Sequence, residues 1–363
     1  MKVLHVEAGL HLYGGAQQVM YLLAGLQRQG VQNVLVCARG SAIAERAGGV
    51  AEVVTLPMKG DVDVGLIGRL RSVIAAQHPD LVHLHSRRGA DLLGGLAARL
   101  AGVPCVLSRR VDNPESRLWV AIKYRLFDHV ITISAGIREV LLSEGLPADK
   151  VSCVHSAVDQ QAWQRGCDRA AFLHEFDLSE DASVAGMIAQ FIPRKGHLHL
   201  LAALPQVLRE HARLRVLLFG QGPLLAEVRS AIATQGLEGS VKLAGFRADL
   251  ADWLGCLDLV VHPAEMEGLG VSLLQAAAAG LPIIASRAGG MPEIVEHAVN
   301  GLLIDPGDTQ GLADAMNRLL DDPALRAAMG QRGRERVAAY FSLPAMVDGN
   351  LAVYRRVLER RGS

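Results

Sequence analysis

The chain has 363 residues, half of them hydrophobic, and its 37 lysines and arginines balance 37 aspartates and glutamates. This length suits two domains of ordinary size, each with a sizeable core. The balanced charge gives no sign of a nucleic-acid-binding protein. The apolar runs are too short to span a bilayer, or are broken by Arg or Gly. Glu7 and Gly9 interrupt any signal-peptide core, so we expect a cytoplasmic protein.

The cysteines predict neither a metal site nor a disulfide framework. They are scattered without a Cys-x-x-Cys motif, at Cys37, Cys105, Cys153, Cys167 and Cys256. We therefore expect reduced thiols, as is usual for a cytosolic protein.

Short β-branched or apolar runs alternate with helical stretches in the first half of the chain. Strands are predicted at 3–6, 34–37, 53–56, 81–84, 103–107, 130–133 and 151–154. Helices are predicted at 16–28, 64–77, 89–100, 118–127 and 135–143. This alternation is typical of a doubly wound parallel sheet.

A second series of strands follows a polar stretch at 160–182, which we interpret as a linker with an entry helix. The strands are predicted at 184–189, 214–219, 241–244, 257–261, 283–285 and 302–304. A final helix is predicted from residue 344. The chain is thus expected to form two α/β domains.

The stretch from His262 to Gly290 is the most informative part of the second series. His262-Pro263 ends a strand, and a glycine turn with one carboxylate, 267–270, opens a helix that continues to Ala279. Another strand and glycine turn follow. Such a unit places backbone N–H groups and a helix N-terminus at the carboxyl edge of a parallel sheet, where phosphates and sugars bind.

This segment resembles the donor-sugar site of the family 4 retaining glycosyltransferases, whose pattern is Glu-Gly-(Phe/Leu)-Gly-x-x-x-x-Glu-Ala. Glu267 matches the first carboxylate, and Gly268, Leu269 and Gly270 match the turn, but Gln275 stands in place of the second carboxylate. The resemblance implies the α/β GT-B fold, with two Rossmann-like doubly wound parallel-sheet domains facing a cleft. It predicts an acceptor domain, 1–163 with a crossover helix 344–363, and a donor domain, 164–343.

The resemblance extends to a phosphate-binding loop after the first strand of the second domain. The family pattern there is Gly-Arg-x-x-x-x-Lys-Gly, and Lys195 matches the lysine that neutralises the leaving diphosphate. Gln190 replaces the arginine, so the full cationic clamp is missing. Arg194 is a candidate to compensate. A solvated surface lysine is the alternative for Lys195.

Further donor contacts are implied at three glycine-containing turns. A glycine turn for helix packing is the alternative for the first, and ordinary turn chemistry is the alternative for the other two. The implied donor-binding residues are Gly14 and Gly15 after the first strand, Gly220 and Gly222 after the 214–219 strand, and Phe246 with Arg247, where the backbone would meet the base.

In the first domain, His85 matches the end of the family's Asp-x-x-His-x-His strand and is our candidate for contact with the transferred sugar. His83 shares its strand parity, so spacing leaves a metal pair open, although satisfied polar contacts are favoured. Asp61 and Asp63 are interpreted as a solvated turn. A basic concentration suits an anionic acceptor or membrane surface, with a solvated face as the alternative. Its acceptor candidates are Arg87, Arg88, Arg109 and Arg110.

The expected function is retaining, metal-independent transfer of a sugar from a nucleotide-diphosphate sugar to a glycan or glycolipid hydroxyl, without a cofactor. Family habit favours lipopolysaccharide or cell-envelope polysaccharide synthesis, with peripheral contact to the cytoplasmic face of the inner membrane left open. Glu267, His85 and Lys195 are the catalytic candidates. Two alternatives remain: another GT-B enzyme, such as a nucleotide-sugar epimerase or a phosphorylase, and a non-enzymatic two-domain sugar-binding protein.

Overall fold

The computed structural model describes residues 1–12, 14–85 and 89–362, which form two compact units. The N-terminal unit comprises Met1–Ala157 with Leu343–Ser363, and the C-terminal unit comprises Val158–Ser342. The chain passes from one unit to the other at residues 157–158, slightly before the boundary predicted at 163–164.

The described part of the N-terminal unit contains a seven-stranded parallel sheet in the order β3-β2-β1-β4-β5-β6-β7. Its strands are β1 Lys2–Glu7, β2 Gln32–Ala38, β3 Glu52–Leu56, β4 Leu81–Leu84, β5 Cys105–Arg109, β6 His129–Thr132 and β7 Val151–Cys153. All seven predicted strands are present. β5 starts at Cys105 rather than Val103, since Pro104 has no amide hydrogen for the ladder.

Helices cover both faces of this sheet. They are α1 Gly14–Arg28, α2 Ala42–Arg46, α3 Gly65–Gln77, α4 Ala90–Leu100, α5 Arg117–Lys123 and α6 Ala135–Ser143. Ser116 and Ser134 cap α5 and α6 by accepting hydrogen bonds from backbone N–H groups. The strand order reverses between β1 and β4, which makes the carboxyl ends of these two strands the ligand-binding position of a doubly wound sheet.

The last helix, α16 Leu343–Gly362, packs on the N-terminal unit, to which it belongs. Its Val347 and Tyr354 share a buried cluster with Leu22 and Leu26 of α1. The two helices approach so closely that a Cβ at Gly25 would lie 2.2 Å from Val347 Cγ2. A side chain at position 25 would therefore force the helices apart.

The described part of the C-terminal unit contains a six-stranded parallel sheet in the order β10-β9-β8-β11-β12-β13. Its strands are β8 Ser183–Ile188, β9 Leu214–Phe219, β10 Val241–Gly245, β11 Leu259–His262, β12 Ile283–Ser286 and β13 Gly301–Ile304. All six were predicted. The strand order reverses between β8 and β11, so the loops that follow these strands meet at the ligand-binding edge.

The helices of this unit are α7 Gln160–Trp163, α8 Arg169–Glu175, α9 His197–Glu210, α10 Leu225–Thr234, α11 Leu250–Trp253, α12 Val271–Ala279, α13 Met291–Ile294, α14 Thr309–Asp321 and α15 Pro323–Tyr340. The stretch predicted as a linker forms α7 and α8. It is packed rather than free, because Phe172 is fully buried and its ring lies 6.4 Å from that of Trp253. Across the described ranges, no helix combines the length and apolar character needed to cross a bilayer.

The prediction that all cysteines are reduced is wrong for one pair. Cys167, just before α8, forms a disulfide with Cys256, and their Cα atoms are 5.1 Å apart. The packing of α8 brings them together, since Arg169 donates a hydrogen bond to the Cys256 carbonyl at 2.6 Å. The thiols of Cys37, Cys105 and Cys153 are free.

Candidate functional site

Two loops at the switch point of the C-terminal sheet are joined through their backbones. Gly196, after β8, has a φ of 78°, and a Cβ there would lie 2.0 Å from the carbonyl oxygen of Pro263, after β11. Glu265 N–H donates to the Arg194 carbonyl at 2.9 Å. Only glycine permits this approach at position 196. It fixes the neighbouring Lys195 beside the 263–267 loop.

Lys195 and Glu267, both predicted as catalytic, contact each other at this edge. The Lys195 Nζ donates a hydrogen bond to Oε2 of Glu267 and forms an ion pair with it. The Nε2 of His262, the last residue of β11, lies 3.1 Å from the same oxygen. The side chains of Lys195 and Glu267 are 10% and 16% exposed, so the pair interacts in a largely desolvated setting.

The carboxyl group of Glu267 is held in its ionised form. Burial raises its pKa, but the His262 hydrogen bond and the positive charge of Lys195 outweigh burial and lower the pKa to about 2. An ionised carboxylate only accepts hydrogen bonds, so His262 must donate from Nε2. Glu267 thus presents a fixed negative charge and acceptor at neutral pH.

The turn that carries Glu267 leads directly into α12. Gly268, Leu269 and Gly270 are buried, and Gly270 has a φ of 99° at the helix start. The Gly290 N–H donates to the Glu267 carbonyl at 3.0 Å, which ties this turn to the one after β12. Gln275 lies half-buried on α12. The predicted donor turn is therefore a rigid, backbone-bonded structure.

Gly220 and Gly222 are required by packing. A Cβ on Gly220 would lie 2.0 Å from the Ala189 carbonyl oxygen, and one on Gly222 would lie 2.5 Å from that of Phe191. These glycines brace the loop in which Gln190 is exposed and Arg194 half-buried. Gly220 and Gly222 therefore lie against the protein's own backbone, and their contact with a donor stays a prediction.

Arg247 anchors its turn through its side chain. Its guanidinium pairs with Asp249 at 2.6 Å and with Glu175 at 2.5 Å, and it lies over the Trp253 ring. The hydrogen bonds that Arg247 donates to these carboxylates raise the pKa of Arg247 further. The neighbouring Phe246 is 57% exposed. The predicted donor contact at this turn concerned the backbone, and it remains a prediction.

In the N-terminal unit, His85 follows β4 at the switch point. It is buried, and its Nε2 lies 2.9 Å from Nδ1 of His5 on β1. His83 lies beside it, with ring centroids 3.8 Å apart. The Nδ1 of His83 is 2.6 Å from the Tyr354 hydroxyl, and its Nε2 is 2.8 Å from the Ser108 hydroxyl.

These three histidines could in principle hold a metal ion, because one nitrogen from each lies within 4.8 Å of the others. Both nitrogens of His83 are already paired with hydroxyl groups, however, and His5 and His85 face each other. The polar contacts expected for His83 are present. Asp63 forms an ion pair with Arg69 at 2.6 Å instead of lying in a solvated turn.

The predicted acceptor arginines have different environments. Arg109 is 6% exposed, pairs with Glu115, donates to the Tyr124 hydroxyl at 2.6 Å and also bonds the Asn113 carbonyl. The guanidinium of Arg109 is thus used inside the unit to hold the 111–115 loop, which does not favour contact with an acceptor, and its acceptor role stays a prediction.

Arg110 is half-buried near the start of α1, where a Cβ on Gly15 would lie 3.7 Å from Arg110 Cδ. Burial lowers the pKa of Arg110, which the nearby Glu7 carboxylate partly opposes. Gly14 and Gly15 open α1 as predicted. Arg87 and Arg88 lie outside the described residues.

His262 and His5 are the site residues that sequence reasoning did not identify. His262 was treated only as the end of a strand. A signal was present, because a polar residue at the carboxyl end of a buried strand beside the switch point is a frequent ligand-binding position. His5 carried no such signal, since it lies inside β1 and its relation to His85 depends on which strand pairs with which.

Comparisons with known proteins identify the family of this chain. The family model for glycosyl transferases group 1 matches residues 168–336, and that for glycosyltransferase family 4 matches residues 13–162. A GDP-mannose-dependent alpha-(1-6)-phosphatidylinositol monomannoside mannosyltransferase of Mycobacterium tuberculosis is 32% identical over 290 residues, covering 75% of each chain. The lipopolysaccharide core biosynthesis glycosyltransferase LpsE of Rhizobium meliloti is 24% identical, covering 97% of this chain and 98% of its own.

Solved structures agree on the fold. The crystal structure of HepE from Anabaena in complex with UDP superposes with a TM-score of 0.86 at 21% identity, covering 98% of this chain and all of that one. Sucrose-phosphate synthase from Thermosynechococcus elongatus gives a TM-score of 0.85 at 19% identity, covering 99% of this chain and all of its own. Each unit is Rossmann-like, and the fold is GT-B. The chain belongs to the family 4 glycosyltransferases.

Proposed function

We propose that this glycosyltransferase is a retaining, metal-independent enzyme that moves a sugar from a nucleotide-diphosphate sugar to a hydroxyl of a glycan or glycolipid. The observation that carries the proposal is the contact between Lys195 and Glu267 at the switch point of the C-terminal sheet. It unites a cation suited to a diphosphate and a carboxylate suited to a sugar. The same contact disfavours a purely sugar-binding protein, which has no leaving diphosphate to neutralise.

In this mechanism the donor diphosphate takes Lys195 as its charge partner. Negative charge grows on the diphosphate as the glycosidic bond breaks, and a fixed ammonium group stabilises that charge without reorganising. Glu267 accepts hydrogen bonds from the sugar hydroxyls, while its charge favours the cationic character of the transferred sugar. The acceptor hydroxyl attacks the face from which the diphosphate departs and passes its proton to a diphosphate oxygen, so retention needs no protein nucleophile.

The expected pathway is assembly of lipopolysaccharide or another envelope polysaccharide. The proteins similar to this chain include one named for lipopolysaccharide core biosynthesis and one named for mannosylation of a phosphatidylinositol monomannoside. Both names describe acceptors linked to lipid or to a cell-surface glycan. A nucleotide diphosphate sugar is the donor class in the mannosyltransferase name.

A lipid-linked acceptor requires approach to a membrane, and α5 offers a suitable surface. Leu118, Trp119 and Ile122 are 73%, 42% and 52% exposed, and Arg117 and Arg125 beside them are exposed as well. Apolar and aromatic side chains flanked by cations favour the interface of an anionic bilayer. We therefore propose that α5 makes peripheral contact with anionic lipid at the cytoplasmic face of the inner membrane.

Product analysis tests the reaction. Purified enzyme is incubated with a panel of nucleotide-diphosphate sugars and candidate acceptors, and the anomeric configuration of the product is read by NMR. We expect a glycoside with the donor's configuration, formed equally after exhaustive chelation. The proposal would be contradicted by a product of inverted configuration or by an absolute need for a divalent cation. It would also be contradicted if the only products were free sugar, epimerised donor or a sugar phosphate from phosphorolysis.

Vesicle co-sedimentation tests the surface. Binding to phosphatidylglycerol vesicles should fall several-fold in a Leu118→Ser, Trp119→Ser, Ile122→Ser variant. Leu100 is an apolar residue on α4 that is 54% exposed, and its variant Leu100→Ser is the control. This variant should bind the vesicles as the wild type does. Equal binding by both variants would remove α5 from the membrane contact.

A further inference from the structure

A small cavity, the amino-edge pocket, opens where strands β5, β6 and β7 of the N-terminal unit begin. Its wall includes Val103, Phe127 and Lys150, which lie just before these strands. The strands are parallel to β4, so this edge is opposite to the carboxyl edge at which His85 follows β4. The volume of the pocket is about 210 Å³. Its charged lining consists of four cations and one carboxylate, which are Arg99, Arg125, Lys150, Arg361 and Asp128.

Asp128 neutralises only one of the four cations. Its Oδ1 accepts hydrogen bonds from Nε and Nη2 of Arg361 at 3.2 and 3.0 Å, and its Oδ2 accepts one from the Cys105 N–H at 2.8 Å. Within residues 1–12, 14–85 and 89–362, no carboxylate forms an ion pair with the other three cations, Arg99, Arg125 and Lys150. The pocket thus keeps three positive charges that this part of the chain does not compensate.

Backbone carbonyls hold two of these cations in place without neutralising them. Nη1 of Arg99 donates to the Arg125 carbonyl at 3.0 Å, and Nζ of Lys150 donates to the Phe127 carbonyl at 3.2 Å. A longer bond of 3.4 Å joins Lys150 to the Tyr124 carbonyl. A guanidinium has five N–H donors and an ammonium group has three, so both side chains keep donors for a ligand. The two cations are therefore oriented before any ligand binds.

The dipoles of the neighbouring helices explain only part of this charge. Arg99 lies in the last turn of α4 and Arg361 in the last turn of α16, and a cation is favoured at a helix C-terminus. Arg125 and Lys150 come from other segments and yet line the same pocket. Like charges gathered in this way repel one another, and a bound anion would remove that repulsion.

We propose that the amino-edge pocket is a binding site for a phosphate group, separate from the donor site assigned to Lys195 and Glu267. A phosphate group offers several charged oxygens, which suits guanidinium and ammonium donors supplied by different segments. The pocket is smaller than the roughly 300–1,000 Å³ of sites that enclose drug-sized ligands. It therefore has room for a phosphate group but not for a whole nucleotide sugar.

The phosphate group can come from two sources, a lipid headgroup or a free phosphate ion. Arg125 is exposed and follows the end of α5 at Lys123 by two residues, so a headgroup would enter beside the surface proposed for membrane contact. A free phosphate ion would enter directly from solvent. Both sources present the same oxygens, and only the first would link the pocket to binding of a bilayer.

Thermal unfolding of the full chain with inorganic phosphate tests the pocket. A ligand that binds only the folded protein raises its Tm, so phosphate should raise the Tm of the wild type above its value in chloride of equal ionic strength. The rise should be much smaller in the double variant Arg99→Gln with Lys150→Gln. The control, Arg28→Gln with Arg46→Gln, removes two exposed cations from α1 and α2 and should respond as the wild type does. An equal rise in both double variants overturns the proposal.

Calorimetry in a Lys195→Ala background measures phosphate binding without the lysine of the donor site. We expect Arg99→Gln with Lys150→Gln to lower phosphate affinity by about tenfold to a hundredfold, the value of a hydrogen bond from a charged group. Arg125→Gln serves where the double variant does not fold, because the Arg125 side chain makes no hydrogen bond or ion pair within the described residues. It should lower the affinity as well. Unchanged affinity in a folded variant would contradict the site.

Vesicle co-sedimentation distinguishes the two sources. If the phosphate group belongs to a lipid, Arg99→Gln with Lys150→Gln should bind phosphatidylglycerol vesicles several-fold more weakly than the control, Arg28→Gln with Arg46→Gln. Inorganic phosphate should then also release the wild type from vesicles better than chloride of equal ionic strength. Equal vesicle binding by the two variants, together with a lost response to phosphate, assigns the pocket to free phosphate. If neither vesicle binding nor the response to phosphate differs between the variants, the pocket binds no phosphate group.

Discussion

Lys195 and Glu267 form an ion pair although they are 72 residues apart in sequence. Each was predicted separately, one as the partner of a diphosphate and the other as the partner of a sugar. Their contact means that the Glu267 carboxylate holds Lys195 in place. In the proposed complex, Lys195 would contact the diphosphate of the donor and Glu267 would contact its sugar. Binding a diphosphate would thus add a second anion to a lysine that is already oriented.

Glu267 should be essential for turnover. We expect Glu267→Ala to lower kcat by about a hundredfold to a thousandfold, the range seen when a preorganised electrostatic group is removed from an active site. Nucleotide binding should persist. Glu265→Gln is the control, since Glu265 lies two residues away and contacts His199. Turnover near the wild-type rate in Glu267→Ala would remove this carboxylate from the mechanism.

Lys195 should discriminate between ligands with and without a diphosphate. Lys195→Ala should weaken nucleoside diphosphate binding by about tenfold to a hundredfold, the value of a charge-assisted hydrogen bond, and leave nucleoside binding nearly unchanged. Calorimetry measures both. Arg213→Ala, at a site 74% exposed, controls for loss of a positive charge. An equal loss for the two ligands would move Lys195 away from the phosphates.

His262 should set the acid limit of activity through Glu267. Its hydrogen bond helps to lower the pKa of Glu267 to about 2, so His262→Phe should raise that pKa and shift the acid limb of the kcat profile to higher pH. Because the wild-type limb lies near the pKa of about 2, wild-type kcat should be nearly flat between pH 4 and 8, whereas kcat of the variant should fall at the acid end of that range. His199→Phe, which removes a histidine from Glu265, should leave the profile in place. An unshifted acid limb in His262→Phe would contradict the assigned contact.

Gln275 and Gln190 should be energetically coupled. Gln275 replaces the carboxylate of the family pattern and so removes a negative charge, whereas Gln190 replaces its arginine and removes a positive charge. We hypothesise that the two changes compensate each other in one donor pocket. Gln275→Glu alone should not improve donor affinity, whereas Gln275→Glu with Gln190→Arg should exceed the sum of the single effects in a double-mutant cycle. Strictly additive effects would show that the two positions do not share a pocket.

Acid should destabilise the fold below about pH 6.5, where unfolded histidines begin to bind protons. Burial lowers the pKa of His197 and of His129 to about 4, so both remain neutral in the folded protein while the unfolded chain takes up protons. Stability is complete above the unfolded pKa and is lost as pH falls towards 4, by about 1.4 kcal/mol per pH unit for each proton. Glu267 adds to the loss between about pH 4.5 and 2.

Thermal unfolding at pH 7.5 and pH 5 measures this loss. His129→Gln should reduce the difference in Tm between the two pH values, whereas His78→Asn, at an exposed left-handed position, should not. An identical pH difference in wild type and His129→Gln would exclude His129 as a contributor.

The fold could be predicted because each strand is a local apolar run punctuated by glycine, proline or polar residues. The family pattern likewise placed Lys195 and Glu267 on loops that follow strands, and parallel strand order brought those loops together. Arg109 could not be predicted in this way. Its neighbour Arg110 has the same residue type, and only the path of the 111–115 loop decides that Arg109 is the one that bonds the Val111 and Asn113 carbonyls.

Contacts between distant segments were equally hidden from the sequence. Cys167 and Cys256 are 89 residues apart, and nothing in their spacing indicates that α8 will lie beside the segment before β11. The contact of His5 with His85 requires the knowledge that β1 and β4 are neighbours in the sheet. Strand alternation predicts a sheet, while side-chain pairing across it depends on strand order and register.

The packing of α16 on α1 constrains how this enzyme can be recombined with its relatives. Consider a chimera in which everything after residue 157 comes from a relative. It would replace Val347 and Tyr354, so that Leu22 and Leu26 would pack against a foreign helix. A wider residue at position 25 would be excluded by the native helix yet could be tolerated by another. A chimera that exchanges the C-terminal unit with that of a relative should therefore insert only residues 158–342, so that α1 and α16 of the recipient chain stay together.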